Sequence, residues 1–168
     1  MSNTWLPREK WDALVLGENC PLCEAVKPRG VDKGFSHFIA DLSMGRLSLH
    51  NNQYIKGYCG LICYKHVREP YELPQDEQEQ FWDDMMVCGM ALEKTFGADK
   101  MNFQITGNLV PHLHAHIIPR YYGDAGGVKA ADPNEQTVLL TPTEYRDRVE
   151  KIRQTVELIR AHRQRGGG

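Results

Sequence analysis

The sequence predicts an α+β domain with a mostly antiparallel sheet of about five strands, one long central helix and a C-terminal helix. Five short apolar or alternating segments are separated by turn residues, and one long stretch between Pro74 and Gly97 has helical periodicity. Closely spaced strands favour antiparallel pairing, because parallel strands need long crossover connections. The 168 residues have the size of one domain, so residues 1–168 are interpreted as a single unit.

The individual elements can be assigned in chain order. Residues 7–16 are predicted to form a short helix that starts with Pro7 and closes at Gly17. The strand candidates are 38–42, 46–50, 60–64, 101–106 and 111–119, the first two forming a hairpin. The long helix follows Pro74 with an acidic first turn and ends at Gly97. An amphipathic helix is expected over 141–163, followed by a flexible tail at 164–168.

Charge and hydropathy narrow the function classes. The net charge is −2, and acidic and basic residues are mixed along the chain, so no basic stripe is available for a nucleic-acid backbone. No apolar run approaches the roughly 20 residues that span a bilayer. The first residues also lack the basic and apolar segments of a secretory signal, so we expect a cytoplasmic protein.

The segment 111–119 carries the strongest functional signal. His112, His114 and His116 occupy every second position with apolar residues between them, so an extended strand would present them on one face. A neutral imidazole acts as a nucleophile, a base or a metal ligand, and three together allow these tasks to be divided. The alternation therefore predicts a functional site.

The cysteines give a second signal. Their number is five, and without a secretory signal an odd number favours reduced thiols or metal ligation over a disulfide framework. Cys20 and Cys23 have the spacing of a pair that shares a metal, forms a redox couple or simply packs. Cys59 and Cys63 are interpreted as strand and core residues.

The segment 107–120 resembles the signature of the histidine triad (HIT) family of nucleotidyl hydrolases and transferases. In that signature three histidines alternate with apolar residues and two more apolar residues follow. The order of the Cys-x-x-Cys pair, the strands, Lys65-His66, the long helix and the triad is similar to bacterial HIT proteins. The resemblance covers a family core at 19–124 and implies the HIT-like fold.

The resemblance implies a nucleotide hydrolase that cleaves an α-phosphate bond of a dinucleoside polyphosphate or a nucleoside phosphoramidate. The middle histidine of the family attacks the α-phosphorus and becomes covalently nucleotidylated, which corresponds to His114. The third histidine, His116, would then lie near the leaving group and the non-bridging oxygens. Because the uridylyltransferase branch typically has Gln there, His116 favours hydrolysis.

The resemblance also implies substrate-binding residues. Asn102 and Asn108, with the backbone of Gly107, correspond to groups that contact phosphate oxygens in the family. His50 and Asn51, with Leu49, are candidates to line the ribose and base pocket. Here the chain departs from the family pattern, because many members have Gly-His where this chain has Gly57-Tyr58.

Some HIT proteins bind zinc, and the resemblance extends that site to Cys20, Cys23, His66 and His112. Four such ligands would make a closed, structural Cys₂His₂ site that ties the N-terminal segment to the triad strand. The family commonly forms two-fold dimers by joining sheets, so a homodimer is expected, with a small nucleotide as substrate and no nucleic-acid or membrane partner.

Three alternatives remain open at this stage. The first is a nucleotidyltransferase or phosphorylase on the same fold. The second is a nucleotide-binding regulatory protein with negligible turnover, against which the intact His114 and His116 count. The third is a metalloenzyme in which the three histidines together chelate a catalytic ion.

Overall fold

The protein was analysed as a computed structural model, which describes residues 5–27 and 36–166. Helices α1 and α2 come first, followed by three strands, a 3₁₀ turn, helix α3, two further strands and helix α4. Their bounds are α1 Arg8–Val15, α2 Pro21–Ala25, β1 Ser36–Asp41, β2 Gly45–His50, β3 Cys59–Cys63, 3₁₀ turn Pro70–Glu72, α3 Gln75–Phe96, β4 Lys100–Gln104, β5 His114–Arg120 and α4 Pro142–Gly166.

The five strands form one antiparallel sheet in the order β1-β2-β3-β5-β4. The predicted hairpin is present as β1 and β2, in which Asp41 pairs with Arg46. Helix α3 ends at Gly97, whose φ of 67° is the left-handed conformation that glycine adopts without a steric penalty. The predicted fold class, an antiparallel sheet with a long central helix and a C-terminal helix, is confirmed.

The two faces of the sheet have different environments. Helices α3 and α4 pack against each other, with α3 also against β5 and α4 against β1. The main core includes Leu113, Ala115 and Ile117, which alternate with the triad histidines and are buried as the alternation predicted. The opposite face carries His114 and His116, and we call it the histidine face. A smaller cluster of Tyr58, Ile118 and Ala131 packs there.

Some element boundaries differ from the predictions. Strand β5 begins at His114 instead of residue 111, so His112 lies in the connection before the strand. Cys23 lies in the short helix α2 and Cys20 immediately precedes it; this helix begins with Pro21 and was not predicted. Helix α4 continues to Gly166, so 164–166 are helical in place of the expected tail, and 167–168 lie outside the described residues. Within 5–27 and 36–166, no helix has the length and apolarity that a bilayer crossing requires.

Candidate active site and metal centre

The register of three strands assembles the histidine face. His116 lies directly opposite Gly60 of β3, and Gly60 lies opposite Ser48 of β2. Directly opposed residues point to the same side of a sheet. A Cβ atom added at Gly60 would meet no atom within 4 Å, so the space beside His116 is open. The missing side chain therefore leaves room for a ligand on this face.

His114 is oriented by the backbone. Its Nδ1 lies 2.6 Å from the carbonyl oxygen of His112, and because a carbonyl only accepts, Nδ1–H is the donor. Nε2 then carries the lone pair, and it has no hydrogen-bond partner within the described part of the chain. Burial lowers the pKa of His114, which favours the neutral ring. This arrangement provides an unprotonated nitrogen that is aimed away from the backbone.

His116 is oriented by a side chain instead. Its Nδ1 lies 2.6 Å from the phenol oxygen of Tyr58. The rings of His50, Tyr58, His116 and His114 follow one another, and we call these four residues the aromatic row. The centroid separations are 4.6 Å, 5.9 Å and 5.0 Å. Burial lowers the pKa of His116 to about 4, so this ring is also neutral near pH 7.

The four predicted metal ligands come together, and their ligand atoms all lie within 4.8 Å of one another. The Sγ of Cys20 and of Cys23 lie 3.6 Å and 3.4 Å from Nδ1 of His112. Nδ1 of His66 lies 3.2 Å from both Cys23 Sγ and His112 Nδ1. A tetrahedral zinc with ordinary bond lengths would hold S and N about 3.5 Å apart and two N about 3.3 Å apart. These separations therefore fit one zinc ion.

The outer nitrogens of the two histidines support the same conclusion. Nε2–H of His112 donates to the carbonyl of Cys63 at 2.8 Å, and Nε2–H of His66 donates to that of Val15 at 3.2 Å. Both rings therefore direct an unprotonated Nδ1 at the centre of the cluster, as metal-bound histidines do. His112 is fully buried, and burial lowers its pKa to about 4. A neutral ligand is therefore favoured.

The thiols need a cation to act as ligands. Burial, followed by the neighbouring Cys20, raises the pKa of Cys23 to about 11, so the thiolate does not form readily without a nearby positive charge. Cys59 and Cys63 are buried in the main core, in agreement with the packing role assigned from sequence. Among the residues that the structure describes, the Cys20 cluster is the one group of three or more metal-ligating side chains. His114 and His116 are not part of it.

The residues assigned to phosphate binding lie in two places. Gly107 and Asn108 are in the connection that leads into β5; Asn108 is exposed, and Gly107 has a φ of 62°. Asn102 lies on β4 opposite Ile118, beyond His116, and its Oδ1 accepts a hydrogen bond from Arg120 at 3.0 Å. It lines a cavity of about 790 Å³ whose lining does not include the triad. On β4, the residue directly opposite His116 is Gln104.

The residues assigned to the ribose pocket are separated by the pleat of β2. His50 stacks on Tyr58 and therefore belongs to the aromatic row. Leu49 is fully buried in the main core between the sheet and the helices, so its assignment to a pocket on the histidine face is wrong. The backbone carbonyl of Asn51 accepts a hydrogen bond from Tyr145 at 2.5 Å, which joins the end of β2 to α4.

Two contributions to this face were missed from sequence. The hydrogen bond between Tyr58 and His116 joins residues 58 positions apart, and only the departure at Gly57-Tyr58 pointed to that position. The segment after β5 is held by Arg120 through Asp124 and the carbonyls of Gly127 and Lys129. Asn52 holds its later part through the carbonyls at 133 and 136.

Comparison with known proteins identifies the class of protein. A HIT domain profile matches residues 36–123, which is more than half of the chain, so the chain belongs to the HIT domain family. Proteins of this family bind small nucleotides and are hydrolases or transferases.

Individual relatives agree with this assignment. An uncharacterized HIT-like protein of Methanocaldococcus jannaschii is 35% identical over 79 residues, which cover 44% of this chain and 60% of that protein, less than two thirds of its length. A histidine triad protein of Bradyrhizobium japonicum has 26% identity and a TM-score of 0.68, covering 74% of this chain and 92% of its own. A zinc-bound histidine triad family protein of Mycobacterium smegmatis shares the fold, with 16% identity and a TM-score of 0.56. The match covers 89% of this chain and 94% of that protein.

Proposed function

We propose that this protein hydrolyses a nucleoside phosphoryl compound, a dinucleoside polyphosphate or a nucleoside phosphoramidate, through a covalent nucleotidyl intermediate on His114. The observation that carries the proposal is the 2.6 Å hydrogen bond from His114 Nδ1–H to the backbone of His112. It leaves the lone pair of Nε2 available for attack. The open space at Gly60 beside His116 and membership of a nucleotide-binding family support the same reading.

The chemistry proceeds in two displacements. Nε2 of His114 forms a bond to the α-phosphorus, and the bond from that phosphorus to the leaving group breaks, with the electron pair going to the leaving group. A polyphosphate group leaves as its anion, whereas an amine leaving group takes up a proton from solvent. The ring becomes a nucleotidyl imidazolium, and its Nδ1–H still donates to the His112 carbonyl. Water then attacks the phosphorus, the electron pair of the N–P bond returns to Nε2, and the water releases one proton to solvent.

We also propose which other residues contact the substrate. Asn108 and the backbone of Gly107 lie in the connection before β5, and His116 stands beside His114 in the aromatic row. These neutral groups would stabilise charge on the phosphoryl oxygens. Asn102 would act on a more distant part of the substrate, because it lies opposite Ile118. His50 and Asn51 would lie near the nucleoside.

The test is a panel of adenosine and guanosine polyphosphates and phosphoramidates, with release of nucleoside monophosphate measured for the wild type and for His114→Ala. We expect release by the wild type and none by the variant. Release that survives in the variant would show that His114 is not the nucleophile. Nucleotide binding without release would favour the regulatory alternative. Added phosphate or nucleotide acceptors that divert the product would favour the transferase alternative.

We also propose a structural zinc ion held by Cys20, Cys23, His66 and His112. The tetrahedral separations and the two carbonyl-anchored imidazoles support it, and the related Mycobacterium smegmatis protein is zinc-bound. With four protein ligands no position remains for water, so the ion would join α2 to the start of β5 without acting on substrate. Native mass spectrometry should show one zinc per chain, lost in Cys20→Ser and retained in Cys88→Ala. Retention by Cys20→Ser would contradict this ligand set.

We further propose a homodimer formed at the β4 side. Trp82, Met86 and Met90 form an exposed apolar stripe along α3, and Phe103 of the edge strand β4 lies over the same helix at Gly89. An exposed apolar patch beside an unpaired strand edge favours association with a second copy. Light scattering should give twice the chain mass of 19.2 kDa. Met86→Glu should reduce the measured mass to that of one chain. Leu158 is exposed on α4, away from this stripe, so Leu158→Glu should leave the mass unchanged.

A further inference from the structure

The hydroxyl group of Tyr58 contacts one nitrogen atom of the triad residue His116. The side chain of Tyr58 is 1% exposed and packs against Ile118 and Ala131 on the histidine face. The phenol oxygen lies 2.6 Å from Nδ1 of His116, and the ring stacks on His50 with a centroid separation of 4.6 Å. Because the ring is buried and stacked and the hydroxyl group is hydrogen-bonded, the phenol has little freedom to reorient.

The direction of this hydrogen bond follows from the available partners. The phenol carries one hydrogen, and within 5–27 and 36–166 the hydroxyl has no other hydrogen-bond acceptor than His116. Burial raises the pKa of Tyr58, so the phenol keeps its hydrogen. If His116 Nδ1–H were the donor instead, the buried phenol hydrogen would have no partner, which costs free energy. Tyr58 therefore donates and His116 Nδ1 accepts.

This direction determines the tautomer of His116. A neutral imidazole carries one hydrogen, so a ring that accepts at Nδ1 has its hydrogen at Nε2. His114 has the opposite arrangement, because its Nδ1–H donates to the His112 carbonyl. Two adjacent neutral histidines thus present a lone pair and an N–H group, respectively. Those are the two functions that attack on a phosphoryl group requires.

We propose that Tyr58 is a positioning residue that holds His116 as its Nε2–H tautomer, so that His116 donates a hydrogen bond to the substrate phosphoryl group while His114 attacks it. The identity of the ligand rests on the function proposed above. His116 keeps its proton in this step, so a neutral His116 is sufficient. The other tautomer would direct a lone pair at the phosphoryl oxygens, which repels them.

Nuclear magnetic resonance tests the tautomer without any turnover. In protein labelled with ¹⁵N-histidine, long-range ¹H–¹⁵N correlations should show His116 protonated at Nε2 and unprotonated at Nδ1. Tyr58→Phe keeps the ring and removes the hydroxyl, and it should convert His116 to a mixture of tautomers. Tyr64→Phe is the matched control, because its hydroxyl bonds Asp41 outside the site. A wild-type Nδ1–H tautomer, or a tautomer unchanged by Tyr58→Phe, would overturn the proposal.

Kinetics separate positioning from packing. Tyr58→Phe should lower kcat about tenfold with KM changed less than about twofold, the size expected for weakening one hydrogen bond in the transition state. In a His116→Gln background, whose amide donates without help from Tyr58, the same change should have no further effect. An equal loss in both backgrounds would show a purely structural role. Failure of the hydrolase proposal would appear as activity surviving in His114→Ala, and the tautomer measurement would still decide this inference.

Discussion

The two ends of the histidine motif have opposite properties, although only one residue separates His112 from His114. His112 is fully buried in a closed cluster with two thiols and a second imidazole. His114 and His116 lie on an open face beside the space at Gly60. The difference follows from their hydrogen bonds: His112 donates from Nε2 and frees Nδ1, whereas His114 donates from Nδ1 and frees Nε2. The anchored nitrogen therefore decides whether the free nitrogen points into the thiol cluster or away from it.

The start of strand β5 separates the two environments. His112 precedes the strand and is turned into the cluster, whereas His114 is its first residue and pairs with Ile62 of β3. The backbone carbonyl between them belongs to His112 and accepts from His114, so one residue contributes to both sites. This geometry does not support a single ion shared by all three histidines. It favours a structural role for one and chemical roles for the other two.

The sharpest test of this division compares two alanine variants. His114→Ala should lower monophosphate release by at least about a thousandfold, because the nucleophile is removed. Its zinc content and Tm should stay near the wild-type values. His112→Ala should lose zinc and unfold at lower temperature, yet lose less than about tenfold in kcat when assayed well below its Tm, because the carbonyl that orients His114 remains. Loss of zinc in His114→Ala would show that the two sites are not separate.

Removal of the proposed zinc ion by a chelator should lower the thermal stability of the protein before it lowers the activity. An ion that binds only the folded state stabilises it, so removal that costs about 4 kcal/mol would lower Tm by about 8–16 °C in a chain of this size. Differential scanning fluorimetry with and without a strong chelator measures the shift, and Cys88→Ala provides a control with an intact cluster. Immediate loss of all activity at unchanged Tm would show a catalytic ion instead.

Filling the free space beside Gly60 should have the smallest effect on activity among these changes. Gly60→Val adds a branched side chain where the structure has free space, and valine suits a strand better than glycine. We expect an unchanged or slightly higher Tm and a KM raised about tenfold, with Gly60→Ala intermediate. Substrate titrations check this, and an unchanged KM in the valine variant would show that the substrate does not occupy this space.

Local patterns predicted much of the molecule because they depend on neighbouring residues. Pro74 and Gly97 bracket α3, and the alternation from 113 to 117 correctly separated core from open face. The motif also led to Cys20, Cys23, His66 and His112, which the fold brings together. The resemblance was misleading for Leu49, because Leu49 and His50 are adjacent on a strand and therefore point to opposite sides of the sheet.

Sequence alone determined the class of fold and the family, and it named the side chains that we propose carry the chemistry, since these depend on residue types and short spacings. Tertiary packing determined which nitrogen of His66, His112 and His116 is available, whereas the neighbouring carbonyl of His112 sets the free nitrogen of His114. The partners of the first three, the carbonyls of Val15 and Cys63 and the hydroxyl of Tyr58, are distant in the chain and meet the rings only in the folded structure. A tautomer is a property of such contacts, because an isolated neutral imidazole can carry its hydrogen on either nitrogen.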